Sequence, residues 1–190
     1  MPMTFAYQPR KAVQAIAYMV NALGPVDKVK VMKLLYLADR EQFIRHGCPI
    51  TGDNQRAMQY GPVPSRSLDL LNGFCTSPHD TVFKFLHIDD NKVFARENPG
   101  TSLLNTDEIA VLDDVVKKYG SIPSWSLVHQ THALPEYANT YVEGTARSID
   151  YERIAQYSGN QERFRLNRPV ISIETARHIA CPMDPADEDL

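Results

Sequence analysis

Apolar positions recur along most of this chain with a helical period, and one block departs from it by being apolar on every side. In residues 10–22, Val13, Ile16, Ala17 and Val20 fall on one face and Gly24-Pro25 stops the run. The spacing predicts a first helix packed on its neighbour. A second helix is predicted over residues 26–46. At about 100° per residue, its central residues Leu34 to Ala38 cover the full circle, and a helix apolar all round is buried all round. Its ends are more polar, Asp27-Lys28 and Arg40-Glu41-Gln42, and Gly47 is placed to terminate it.

The pattern then shortens. Pro49 to Asp53 reads as a compact turn, in which Gly52 supplies a positive φ and Asp53 hydrogen-bonds neighbouring amides. Residues 56–60 alternate Arg56/Met58/Tyr60 against Ala57/Gln59, the period of a short strand. Gly61-Pro62-Val63-Pro64 cannot be helical in its middle and reads as a fixed backbone corner. Ser65 follows as the predicted N-cap of a helix carrying Leu68, Leu71 and Phe74 on one face. Residues 82–88 and 93–96 flank Asp89-Asp90-Asn91-Lys92 and predict a hairpin. With the earlier strand it would form one small antiparallel sheet.

Asn105 or Thr106 caps the next helix, Asp107 and Glu108 suit the positive end of its dipole, and Ile109, Leu112, Val115, Val116 and Tyr119 form its stripe up to Gly120. Shorter helices are expected over 123–132, with Trp125, Val128 and His132 on one side, and over 135–142 and 150–157. A last one starts at Ser172 and includes Ile173, Ala176, Arg177 and Ile179. The fold class is therefore α+β and mostly helical, with a central buried helix, packed helices and a small antiparallel sheet of two to three strands. We expect a single domain over 1–181 and a flexible acidic tail over 182–190, where two prolines stand among four acids.

Composition narrows the function classes. A chain of 190 residues, 43% hydrophobic and 23% charged, can bury a full core without disulfides or metal. Cys48, Cys75 and Cys181 have no Cys-x-x-Cys spacing and suggest reduced thiols in the cytoplasm. No basic segment precedes an apolar run near Met1, and no run approaches the roughly 18 apolar residues of a membrane span, so neither signal peptide nor membrane partner is expected. Nine Lys/Arg face four Asp/Glu in residues 1–66, although the whole chain carries −3. Arg40, Arg45, Arg56 and Arg66 are the material for a local basic patch, yet the balance of the chain gives little reason to expect nucleic acid.

Asp39 is the most telling side chain, because it lies on the apolar stripe between Leu35 and Phe43. A carboxylate there must find donors or take up a proton. The stronger reading is structural: Asp39 accepts from backbone amides or Arg66 and fixes the turn beyond the helix. The other is a perturbed acid in a pocket. Asp53 faces the same choice, and turn chemistry again outweighs catalysis. His129 and His132 form a His-x-x-His pair, but zinc needs two further ligands, so a satisfied, partly buried His132 is favoured. No Cys/His pairing from Cys48 or Cys75 is supported. No Gly-x-Gly-x-x-Gly or Walker-type loop occurs, and no cofactor is implied.

Three motifs occur in order: Lys33-Leu34-Leu35-Tyr36-Leu37-Ala38-Asp39, then Gly47-x-Pro49-Ile50-Thr51-Gly52-Asp53, then Ala57-x-x-Tyr60-Gly61-Pro62-Val63-Pro64-Ser65. Together they closely resemble the Panacea domain, the family of the SocA-type antitoxin, whose members were often labelled phage-associated proteins. Leu112-Asp113, Tyr119-Gly120 and Thr131-His132 look like its second block. The resemblance covers roughly residues 10–140. It implies an antitoxin that binds and neutralises a partner toxin, usually encoded by an adjacent gene, and for the SocA type delivery of that toxin to the ClpXP protease. It carries no catalytic residues. Lys33, Asp39, Gly52, Asp53, Tyr60, Gly61, Pro62, Ser65 and His132 are therefore motif positions with expected structural duties. Residues beyond about Tyr141, including Arg163 to Ile173, are outside the strong match and would be a variable toxin contact. The alternatives are a hydrolase using Asp39, Asp53 and His132, and a DNA-binding regulator.

Overall fold

The Asp27 carboxylate accepts the amide of Lys30 and so starts the helix around which the chain is built. In the computed structural model, which describes residues 3–74 and 84–159, α1 (Pro9–Leu23) is followed by β1 (Val26–Asp27) and by this long helix, α2 (Lys28–His46). Gly47 closes α2 in the left-handed region, φ 86°. Val31 to Asp39 form one uninterrupted buried run, as an all-round apolar segment requires. The predicted start at Val26 is corrected. Val26 and Asp27 stay extended after Pro25 and pair with Val93 and Lys92.

After α2 come β2 (Gln55–Met58), β3 (Gly61–Pro64) and α3 (Ser65–Leu71). Then follow the hairpin β4 (Leu86–Asp89) and β5 (Lys92–Ala95) and the helices α4 (Thr106–Tyr119), α5 (Ser124–His132) and α6 (Pro135–Ala138). The described chain ends with β6 (Arg147–Ser148) and α7 (Tyr151–Tyr157). The class is mostly helical α+β, but the strands divide into two antiparallel sheets, β1-β5-β4 and β3-β2-β6, rather than joining in one.

The Gly61–Pro64 corner is in fact a strand. It pairs with β2 from Met58↔Gly61 to Gln55↔Pro64, at the edge of its sheet. An edge tolerates proline, because the missing N–H need not serve a second neighbour. Phe74 lies beyond the end of α3 and is exposed, so it does not share the buried face of Leu70 and Leu71. The helix and tail expected after residue 159 fall outside the described residues, as do Cys75, Cys181 and the first two residues of the expected hairpin.

Two apolar clusters form the core, and α2 contributes to both. Val31 to Ala38 pack with Ile16, Met19 and Val20 of α1 and Val111, Leu112 and Val115 of α4. Phe43 packs with Ala57, Ile149, Tyr151 and Ile154, its ring near those of Phe5 and Tyr151. Asn105 and Glu108 complete a capping box at α4. The carboxylate of Glu108 also takes Lys11 at 2.6 Å, joining α4 to α1 through a buried ion pair.

Candidate functional site

The motif positions gather at two places on either side of the β2–β3 hairpin. The first is the turn between α2 and β2. Asp39, on the last buried turn of α2, is fully enclosed. Its Oδ1 accepts the Thr51 amide at 2.9 Å, and its Oδ2 accepts the Thr51 hydroxyl and Gln55 Nε2. Thr51 Oγ1 also accepts the Asp53 amide at 3.2 Å, linking the two acids. The Asp53 carboxylate then accepts Arg66 N at 2.9 Å, Ser67 N at 2.8 Å and Ser67 Oγ at 2.6 Å. Tyr151, from the far end of the described chain, accepts from Gln55 and donates to the Asp53 carbonyl.

These bonds correct one expectation, the Ser65 cap, and choose between the two donors expected for Asp39, which takes the backbone amide of Thr51. The cap of α3 is Asp53, reaching across from the preceding turn, while the Ser65 hydroxyl instead donates to the Asn54 carbonyl at 3.0 Å. Asp39 takes no bond from Arg66. The guanidinium of Arg66 lies over the Tyr7 ring, and only its backbone amide serves a carboxylate, that of Asp53. Gly52 lets the turn pass the N-terminal segment: at φ 66° a Cβ there would stand 2.1 Å from the Ala6 carbonyl oxygen. Burial pushes the Asp39 carboxyl up to about 7 against the pull of its hydrogen bonds from Thr51, and it raises Asp53 as well.

The second place is the tip of the hairpin, where Gln59 and Tyr60 connect β2 to β3. Lys33 is 1% exposed, and its ammonium donates to the Pro62 carbonyl at 2.8 Å. Burial lowers this lysine to about 7. Tyr137 of α6 donates to the Met58 carbonyl at 2.9 Å. The His132 ring stacks on Tyr137 at 4.7 Å. Its Nε2 is buried with no partner among the described residues, against the expectation of a satisfied ring. Burial, then the charges of Lys33 and His129, lower its pKa. Gly61, at φ 95°, leaves the room these groups need: a Cβ would lie 2.9 Å from Thr131 Oγ1 and 3.2 Å from Lys33 Cε.

Asp39 and Asp53 are thus brought together, but His132 belongs to the other place, with Lys33, His129 and Tyr137 as neighbours. The hydrolase trio is not assembled. The arginines do not make one patch either. Arg40 pairs with buried Glu136 and Arg45 with Glu41 and Asp114, while Arg56 donates to the Ala146 carbonyl. Among the described residues no group of three or more His, Cys, Asp or Glu is placed to hold a metal ion, and no helix is long and apolar enough to cross a membrane.

Sequence reasoning passed over Ser67, Gln55, Glu136, Tyr137 and Tyr151. Ser67 and Gln55 lie beside the motifs and follow the turn signal of Asp53. Glu136 meets Tyr36 and Tyr151 meets Gln55 across about a hundred residues of chain, and no local pattern announces such pairs.

A family model described as antitoxin SocA-like, Panacea domain, matches residues 31–137. That interval contains the motif positions of both places and excludes α1, β1, β6 and α7, so Tyr151, which bonds Gln55 and Asp53, lies outside it. No curated protein and no solved structure matches the chain.

Proposed function

The chain belongs to the SocA-like antitoxin family of Panacea domains, and from that premise we propose that it neutralises a cognate protein toxin by binding it directly. The family match over residues 31–137 carries this reading. The site geometry supports it: Asp39 and Asp53 are buried and occupied by backbone, hydroxyl and amide donors, which suits a frame rather than a reacting centre. The motif residues Lys33, Asp39, Gly52, Asp53, Gly61, Pro62 and His132 hold that frame. The toxin is the product of an adjacent gene, and the complex forms in the cytoplasm, where ClpXP degrades the delivered toxin.

Co-expression with the product of each neighbouring gene tests the reading. Growth arrest caused by one product, relieved by this chain, together with a stoichiometric copurified complex, is the expected result. Arrest without relief, or relief without a complex, would sink it. Delivery to ClpXP predicts a shorter toxin half-life when this chain and the protease are both present.

A further inference from the structure

Two aromatic side chains stand out of the surface at the hairpin tip. Tyr60 is 50% exposed and Trp125, on the first turn of α5, is 61% exposed. They meet edge to face with ring centroids 5.5 Å apart. Nothing in the core requires either ring to be there, since both sit outside the two apolar clusters. The backbone that presents Tyr60 is nevertheless fastened from beneath on both sides: Met58 O by Tyr137 and Pro62 O by Lys33. Trp125 is set by α5, whose first turn is tied to Asp27 through the Ser124 hydroxyl.

A large aromatic pair on a rigid mount is what a binding hot spot requires. Tyr and Trp are the residue types that dominate such centres, and ordering them in advance removes an entropic cost of association. The surroundings say which surface they fit. Neither the hairpin nor α5 contains a carboxylate. Asp27, bonded to the start of α5, is committed to Lys30 N and Ser124 Oγ, and Glu136 behind the site is fully buried. On these two elements the exposed Arg56 of β2 carries a fixed positive charge, and exposed His129 lies one turn along α5 from Trp125.

We infer that the Tyr60–Trp125 pair is the anchor by which this chain docks on its partner protein, entering an apolar pocket whose rim is acidic. The inference rests on the antitoxin reading and locates its contact within the family-matched residues 31–137 rather than on the segment after Tyr141. Trp125 is the only tryptophan in the chain, so it reports its own burial. The probe is the neighbouring-gene product that causes growth arrest, prepared with its tryptophans replaced by phenylalanine.

Mixing the two should shift Trp125 emission to the blue and cut iodide quenching severalfold. Trp125→Ala and Tyr60→Ala should each weaken the complex by roughly 30-fold or more, the scale of a hot-spot residue, with the circular dichroism spectrum and denaturation midpoint unchanged. His129→Glu should weaken it further by repelling the acidic rim. A complex that forms while Trp125 stays fully quenchable, or that survives both alanine changes within about threefold, overturns the anchor and leaves the antitoxin reading standing. Tighter binding by His129→Glu overturns the acidic rim. If no neighbouring product binds the wild-type chain, both the antitoxin reading and the anchor fall.

Discussion

Asp39 is pulled two ways, by donors that favour its charge and by burial that opposes it. Replacing it with alanine leaves Thr51 N, Thr51 Oγ1 and Gln55 Nε2 without an acceptor in the interior. An unpaired buried donor costs about 1–3 kcal/mol, so Asp39→Ala should lower the urea-denaturation free energy by at least that much. Its pH behaviour follows from the shift from 3.8 to about 7. Between those values the folded chain holds the extra proton, so the Asp39 contribution is full below pH 3.8 and is lost as pH rises through 7. Lys33, lowered from 10.5 to about 7, acts with the opposite slope: its contribution is full above pH 10.5 and is lost as pH falls toward 7. Denaturation series from pH 4 to 10 should therefore lose part of their acid-side fall in Asp39→Asn and part of their alkaline-side rise in Lys33→Met. Wild-type slopes in both variants would refute the assignment.

Elements are joined here by single positions with no slack. Asp53 caps α3 across the turn, and loss of a capping carboxylate costs about 0.5–2 kcal/mol. Asp53→Ala should show that loss plus the cost of the stranded Ser67 hydroxyl, whereas Ser65→Ala, which removes only a bond to Asn54 O, should be close to neutral. Both are read from denaturation midpoints. Gly52→Ala and Gly61→Ala each force a positive φ on alanine and a contact below 3.0 Å. The two differ in what must yield. At Gly52 the obstacle is the Ala6 backbone, and at Gly61 it is the Thr131 hydroxyl with the Lys33 and His132 side chains. Gly52→Ala should therefore be the more destabilising, and it should free the N-terminal segment held by the Gln8 N to Thr51 O bond, seen as faster amide exchange at Gln8.

At the scale of the molecule, α2 is shared property: its first half belongs to one apolar cluster and Phe43 to the other. Leu35 is fully buried among α2's neighbours, and Leu35→Ala should cost about 2–5 kcal/mol in calorimetric or denaturant stability. The same division separates frame from contact. The turn that holds the two acids lies within the interior, while the hairpin tip rests on buried Lys33 and carries an exposed ring. The whole molecule thus gives one motif two duties, and only Tyr60 among its positions turns outward to this extent.

The existence of the long helices and the glycine stops of α1, α2 and α4 were legible in the sequence alone, because apolar spacing, caps and glycines act over one or two turns. The start of α2 and the ends of α3 and α6 were not. Leu34 to Ala38 had to be buried, Asn105 or Thr106 had to cap α4, and the order of motifs was sufficient to mark the family; the structure chose Asn105 and closed its box with Glu108. The tertiary structure decided the rest. It divided the strands between two sheets because two residues after Pro25 met Val93 rather than Ala57. It gave Asp39 to Thr51 and Gln55 instead of Arg66, and set His132 apart from both acids. It also placed Trp125 against Tyr60, some sixty residues apart in sequence. Each outcome depends on contacts between distant segments, whose partners are chosen by packing around α2 and leave no period or spacing in the chain.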